Sequence, residues 1–214
     1  MHKYLIKTPW LLRALFPNYV WHIPSKEKVV YLTFDDGPHL QVTPWVLDQL
    51  KRYDALATFF FIGDNVQNHP ELYKKILAEG HATGNHTQHH LNGWKTSTDD
   101  YLNDVKQAAQ LIDSNLFRPP YGRIKMKQAR GISKAIQSSK PKIIMWDVLS
   151  ADFDTAISKE ECLSNVMDHV RPGSVIVFHD SEKAFPHLQF VLPIVLESLK
   201  KEGYEFRKIE HLPL

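Results

Sequence analysis

The chain has 214 residues, 43% hydrophobic and 23% charged, with 26 Lys and Arg against 24 Asp and Glu for a formal charge of +2. That supplies a full core for one larger domain and excludes a disordered or low-complexity protein. So small a charge, with no basic run interleaved with aromatics, argues against nucleic acid as a partner. The single cysteine, Cys162, excludes an intrachain disulfide and reads as a buried helix thiol.

In chain order, the N-terminal segment 1–28 comes first. Its "MHKYLIKTPWLLRALFPNYVWHIP" is apolar but interrupted by Lys7, Pro9 and Arg13. A bilayer span needs about 20 apolar residues, and no small-residue cleavage site follows, so it reads neither as a span nor as a signal peptide. The expectation is a segment that packs on the domain and a cytoplasmic or peripheral membrane location. The alternative is an interfacial membrane contact through Trp10, Leu11, Leu12, Leu15 and Phe16.

Residues 29–214 then alternate short β-rich runs with longer helical ones. Strands are expected at Val29–Phe34, Ala57–Ile62, His81–Thr83, Leu116–Arg118, Lys142–Trp146, Ser174–Phe178 and Glu205–Lys208. Helices are expected at 43–53, 70–79, 98–113, 126–137, 159–170 and 188–200. In 98–113 the apolar positions Tyr101, Leu102, Val105, Ala108, Ala109 and Ile112 recur at helical spacing. Pro70 in the first turn and Gly80 after the last bound the 70–79 helix. Such alternation predicts an α/β fold with a parallel sheet covered by helices. Runs such as "VIVF" lack polar alternation, as strands buried on both faces require. A barrel and an open doubly wound sheet both satisfy the pattern.

The unusual polar residues fall at the ends of these strands. Asp35 and Asp36 follow the first, "GNHTQHH" the third, "RPPYG" the fourth, "WDVLSADF" the fifth and "HD" the sixth. In a parallel α/β fold those ends gather on one face, where active sites lie.

Adjacent carboxylates repel unless a cation neutralises one of them. His86 lies four residues before His90 and three before His89, and either pair shares a face on a helical turn. One carboxylate with two imidazoles is a hydrolytic zinc set, although non-haem iron takes the same donors. The second carboxylate is then free to act as general base. Both converge only if the strand has ended, which Gly37-Pro38 implies. The "NHT" sequon at Asn85 is set aside, since a glycan there would bury His86.

Arg118 can hold the free carboxylate ionised, and the Tyr121 N–H can face a developing oxyanion. His179, emerging from an apolar strand, is a candidate acid, with Asp147, Asp152 or Asp180 to set its tautomer. His39 rims the site without a role. His2, His22, His69, His81, His169, His187 and His211 read as ordinary surface or core histidines.

"TFDDGP", "HTQHH", "RPPYG", "WDVLSADF" and "VIVFHD", in that order, resemble the five motifs of polysaccharide deacetylases, the NodB-homology domain of carbohydrate esterase family four. "ATFFFIG" and "GHATGNH" extend the resemblance, which runs from about Val29 to Lys208. It implies a distorted (β/α) barrel of seven or eight parallel strands, with 29–214 as the catalytic domain. It implies a metal-dependent hydrolase that removes an acetyl group from an N-acetylated sugar, such as an N-acetylglucosamine-containing glycan, with metal-bound water as nucleophile. By motif, Asp35 is the base, and Asp36, His86 and His90 are the metal ligands. Thr87 supports their loop. Arg118 pairs with Asp35, Tyr121 supplies the oxyanion N–H, and Asp152 orients His179. Pro120, Phe153 and Val177 are the expected substrate contacts. Phe153 and Val177 stand where the family often has Trp and Leu, and Leu149 where it is often acidic. The expected metal is Zn2+, with Co2+, Mn2+ or Ni2+ as alternatives, and the expected partner is an acetylated carbohydrate, with no partner protein implied. An O-acetyl esterase on xylan, and a non-catalytic sugar- or metal-binding descendant, are the alternative readings.

Overall fold

The computed structural model describes residues 4–138 and 140–210; His2 and His211 lie outside them. The elements in chain order are α1 (Trp10–Leu15), β1 (Tyr19–Val20), β2 (Val29–Asp35), α2 (Val42–Arg52), β3 (Ala57–Phe61), α3 (Gly63–Asn68) and α4 (Pro70–Ala78). Then come β4 (Ala82–Asn85), α5 (Thr98–Ala108), β5 (Leu116–Phe117), a 3-10 turn η1 (Pro120–Gly122), α6 (Met126–Ala135), β6 (Lys142–Ile144) and β7 (Val148–Leu149). The chain closes with α7 (Lys159–Met167), β8 (Val175–His179), α8 (Phe185–Lys201) and β9 (Glu205–Phe206).

All strand pairs are parallel, in the order β1-β6-β5-β4-β3-β2-β8-β7, with β9 added to the start of β2. The result is the distorted α/β barrel, a curled sheet with helices packed outside it. Every expected strand is present. The two that periodicity could not reveal, β1 and β7, are two residues long. The expected fifth strand, Lys142–Trp146, stops short: the chain leaves β6 at Ile144 and joins the opposite edge of the sheet as β7, beside β8.

The strands are apolar on both faces because both are covered. β3 is buried throughout, and β2 at six of its positions. Phe34 stacks on Phe59 at 5.1 Å and on Phe178 at 5.9 Å, joining β2, β3 and β8. α8 seals one side through Leu188, Val191, Leu192, Val195, Leu196 and Leu199, all buried. Burying a side chain of this size is worth roughly 1.5–3 kcal/mol.

The N-terminal chain crosses the seam between the sheet edges. Lys7 bridges Val148 in antiparallel sense, and the Leu149 N–H donates to the Ile6 carbonyl at 2.8 Å. Buried Asp147 fastens this strap: it accepts from Lys7 Nζ at 2.7 Å and from Ser174 Oγ at 2.7 Å, with Arg13 at 3.6 Å and Arg171 at 3.5 Å. α1 buries none of its residues, leaving Trp10, Leu11 and Leu15 exposed. Among the described residues no helix is long and apolar enough to cross a membrane. Cys162 is buried in α7, where burial raises its thiol pKa.

Candidate active site

β2 ends at Asp35, and Asp36 follows it with φ of 80°. That left-handed residue lets adjacent carboxylates face one cavity, which strand alternation forbids. The strand therefore runs one residue past Phe34, and Asp36 itself makes the reversal. Gly37 is required for space, since a Cβ there would collide with the Asp180 carboxylate. Asp180 accepts from the Gly37 N–H at 3.1 Å and from Thr43 Oγ1 at 2.5 Å. Burial pushes its carboxyl up to about 8 against the pull of the Thr43 hydrogen bond.

Ligand atoms of Asp36, His86 and His90 lie within 4.8 Å of one another. Asp36 Oδ1 is 3.2 Å from His90 Nε2 and 3.8 Å from His86 Nε2. The nearer pair is close enough to attract but is not aligned as a hydrogen bond, so this buried oxygen has no hydrogen-bond partner. An orphaned buried acceptor facing two imidazole nitrogens is costly unless a cation fills the gap. The donor set therefore fits a divalent metal. His86 Nδ1 donates to the Arg118 carbonyl at 2.8 Å, which leaves Nε2 as the ligating atom. Burial pushes His86 down to about 4, so its imidazole is neutral at pH 7. Burial alone would raise the Asp36 carboxyl, but His90, His179 and His86 together hold it well below the usual carboxylate range.

The helical turn invoked for these histidines does not form. Residues 86–90 are an irregular loop in which Thr87 and His90 are left-handed, at φ of 68° and 55°. The imidazoles converge because the loop doubles back. Thr87 Oγ1 accepts from the Leu91 N–H at 3.2 Å, and the Thr87 carbonyl accepts from the Gly63 N–H at 2.9 Å. His89 turns outward to Asp104, 2.6 Å away, with 56% of its side chain exposed. Asp104 also accepts the Gln88 and His89 N–H groups, so α5 braces the loop.

Arg118 is completely buried. One amino group donates to Asp35 Oδ1 at 2.6 Å and to Thr33 Oγ1 at 2.8 Å, and the other reaches the Met145 carbonyl at 3.0 Å. Its guanidinium carbon lies 4.1 Å from the Phe60 ring centre. Asp35 is thus fixed, with the guanidinium charge beside it.

Of the three aspartates weighed for His179, Asp152 is the one it meets. Asp152 Oδ1 lies 2.7 Å from Nδ1, and Oδ2 accepts the His179 backbone N–H at 2.8 Å. Burial lowers the imidazole, but Asp152 outweighs it, with Asp36 and Asp35 adding, and His179 rises to about 9. Asp147 serves the strap and Asp180 the turn at Gly37. Asp35 and His179 are register partners on β2 and β8.

A family model described as polysaccharide deacetylase matches residues 22–137. A peptidoglycan-N-acetylglucosamine deacetylase of Bacillus cereus is 34% identical over 198 residues, covering 90% of this chain and 91% of its own. The chain belongs to the polysaccharide deacetylase family. A chitooligosaccharide deacetylase of Azorhizobium caulinodans is 32% identical over 165 residues, covering 74% of this chain and 76% of the relative. The crystal structure of the Bc1960 peptidoglycan N-acetylglucosamine deacetylase, in complex with 4-naphthalen-1-yl-N-oxidanyl-benzamide, superposes with a TM-score of 0.83 at 32% identity, covering 94% of this chain and 95% of that one.

In this chain the three clusters open into one cavity of about 960 Å³, lined also by Leu149, Phe153, Val177 and Tyr121. Pro120, expected as a substrate contact, is buried in the 3-10 turn and does not line the cavity; the preceding Pro119 does. Tyr121 is left-handed at φ of 59°, and its ring lies 4.6 Å from that of His90. His39 accepts N–H groups at the start of α2. His22, His81, His169 and His187 bond to backbone groups, and His69 sits at the α3–α4 junction.

Sequence reasoning missed Tyr4. It lines the cavity, its hydroxyl donates to Asp154 at 2.6 Å, and its ring meets Phe153 edge-on at 5.3 Å. Phe153 in turn meets the His179 ring at 5.0 Å. No local pattern could pair Tyr4 with a loop some 150 residues away; the alternation of Tyr4 and Ile6 along the strap was the available signal.

Proposed function

We propose that this chain is a metal-dependent N-deacetylase acting on an N-acetylglucosamine-containing glycan. One observation carries the reading: the Asp35–Arg118 pair and the Asp152–His179 pair flank the Asp36, His86 and His90 donors in a single cavity. The names of the relatives support the substrate class.

A divalent cation held by Asp36, His86 and His90, with zinc the expected one for two imidazoles and a carboxylate, would supply the Lewis acidity that eases loss of a water proton. Asp35, held in place by Arg118, takes that proton as water attacks the acetyl carbon. The Tyr121 N–H donates to the acetyl oxygen as negative charge gathers there. The carbon–nitrogen bond then breaks, and His179 Nε2 gives its proton to the departing amine while Asp152 holds Nδ1–H. Acetate and a free amino sugar leave. Phe153, Val177 and Leu149 form the apolar wall for the methyl group.

The test is Asp35→Asn in zinc-loaded protein, assayed for acetate release from chito-oligosaccharides. Turnover should fall at least about a hundredfold while bound zinc per chain is unchanged. Near-normal turnover would remove Asp35 from the mechanism, and release from acetyl esters alone would make the enzyme an esterase.

A further inference from the structure

Two carboxylates line the cavity and both have a use: Asp35 pairs with Arg118, and Asp36 belongs with His86 and His90 to the donor set that fits a divalent metal. Three cationic side chains, Lys95, Arg123 and Lys183, line it as well. None of the three makes an ion pair with a carboxylate among the described residues.

Arg123 is the most organised of them. It is only partly exposed, and its guanidinium carbon lies 5.1 Å from the ring centre of Trp94. Stacking of this kind holds the planar fork in place before a ligand arrives. Among the described residues no acceptor engages that fork. A guanidinium with unused donors in a cavity wall is suited to bidentate binding of a carboxylate or phosphate.

The cations also stand on two sides of the proposed reaction centre. Lys95 and Arg123 belong to the loops after β4 and η1, and Lys183 to the loop after β8. β3 and β2 separate β4 from β8 in the sheet, and β2 carries Asp35 and Asp36 at its tip. A lone small anion would need cations gathered at one point. Cations to either side suit a chain with acidic groups on more than one unit, and uncompensated positive charge at the cavity wall concentrates such a ligand.

We infer that the substrate is an acidic glycan, with carboxylates or phosphates that meet Arg123 and Lys95 on one side of the acetylated sugar and Lys183 on the other. This rests on the deacetylase reading above. It makes these three residues determinants of specificity.

The experiment compares acetate release by the zinc-loaded full chain from three oligosaccharide sets of equal length. One alternates N-acetylglucosamine with a uronic acid, one is N-acetylglucosamine carrying phosphate, and one is neutral chito-oligosaccharide. At low salt kcat/KM should favour an acidic set about tenfold, mostly through KM, and added salt should erode the advantage. The set that gains tells carboxylate from phosphate. Arg123→Gln and Lys183→Gln should each shrink the acidic-to-neutral ratio, and Arg123→Lys should restore part of it.

Equal kcat/KM for acidic and neutral sets, or a ratio unmoved in the triple variant of Lys95, Arg123 and Lys183, overturns the inference and leaves the deacetylase reading standing. No release from any set overturns the deacetylase reading instead. Calorimetry of the acidic oligosaccharides then decides the rim: binding weakened about tenfold by Arg123→Gln sustains it, and unchanged or absent binding ends it.

Discussion

Asp152 holds His179 at two points, its Oδ1 2.7 Å from Nδ1 and its Oδ2 2.8 Å from the backbone nitrogen. The grip fixes both the tautomer and the place of the ring, and it is the main force raising His179 to about 9 against its burial. Asp152→Asn should therefore lower kcat by about a hundredfold or more. It should also move the alkaline limb of the rate profile toward lower pH, because a proton-donating His179 works below its pKa and loses a negative neighbour. A lowered kcat with an unmoved limb would reduce Asp152 to packing.

Arg118 is the largest fully buried side chain, and it is charged. Arg118→Met should cost about 3–5 kcal/mol, because it strands the Asp35 carboxylate, and lower Tm by about ten degrees. Arg118→Lys should rescue little, since one ammonium cannot reach Asp35, Thr33 and the Met145 carbonyl with the same geometry. Thermal melts of both variants check this, and a lysine variant that melts like the parent would contradict it.

Tyr4 reaches the site from the opposite end of the chain. Tyr4→Ala removes the ring that backs Phe153 and should raise KM roughly fivefold, the worth of one aromatic contact of about 1 kcal/mol. Tyr4→Phe should change it much less, since the ring remains. Lys7→Met should resemble Tyr4→Ala by loosening the strap at Asp147, and a parental KM in Lys7→Met would separate the strap from the cavity.

His81 gives the fold an acid limit away from the metal ligands. Its Nδ1 accepts the Ala57 N–H at 3.2 Å, and burial, helped by Lys208, pushes it down to about 4. The folded pKa lies below the ordinary 6.5, so the unfolded chain binds the proton first. The contribution is complete above pH 6.5 and is lost as pH falls toward 4, on the order of 3 kcal/mol. Urea midpoints across that window should fall in the parent and flatten by one proton in His81→Gln.

The sites most legible from the amino-acid order were those where chemistry opposes local expectation. Paired aspartates after a buried strand, and an imidazole emerging from "VIVF", carry a cost that only a site explains, and both stand at the same rim. The helices and the longer strands were legible because each is long enough to show its period. β1 and β7 were not: β1 falls in the segment expected only to pack on the domain, and β7 in the polar run after the fifth strand. Nor was the convergence of His86 and His90, which depends on left-handed φ at Thr87 and His90 rather than on helical spacing. Tyr4 was hidden by distance along the chain, and the exclusion of Pro120 by a one-residue difference in which proline faces the cavity.

The register of β2 against β8 sets Asp35 directly beside His179, and the Asp180 N–H donates to the Asp35 carbonyl at 3.1 Å. The group proposed to accept a proton and the group proposed to deliver one thus occupy a single rung. Their backbones stand about 4.8 Å apart because that is the pitch of any sheet. The base and the acid are therefore anchored side by side in the main chain itself, a placement that exchanging other side chains around the cavity leaves unchanged.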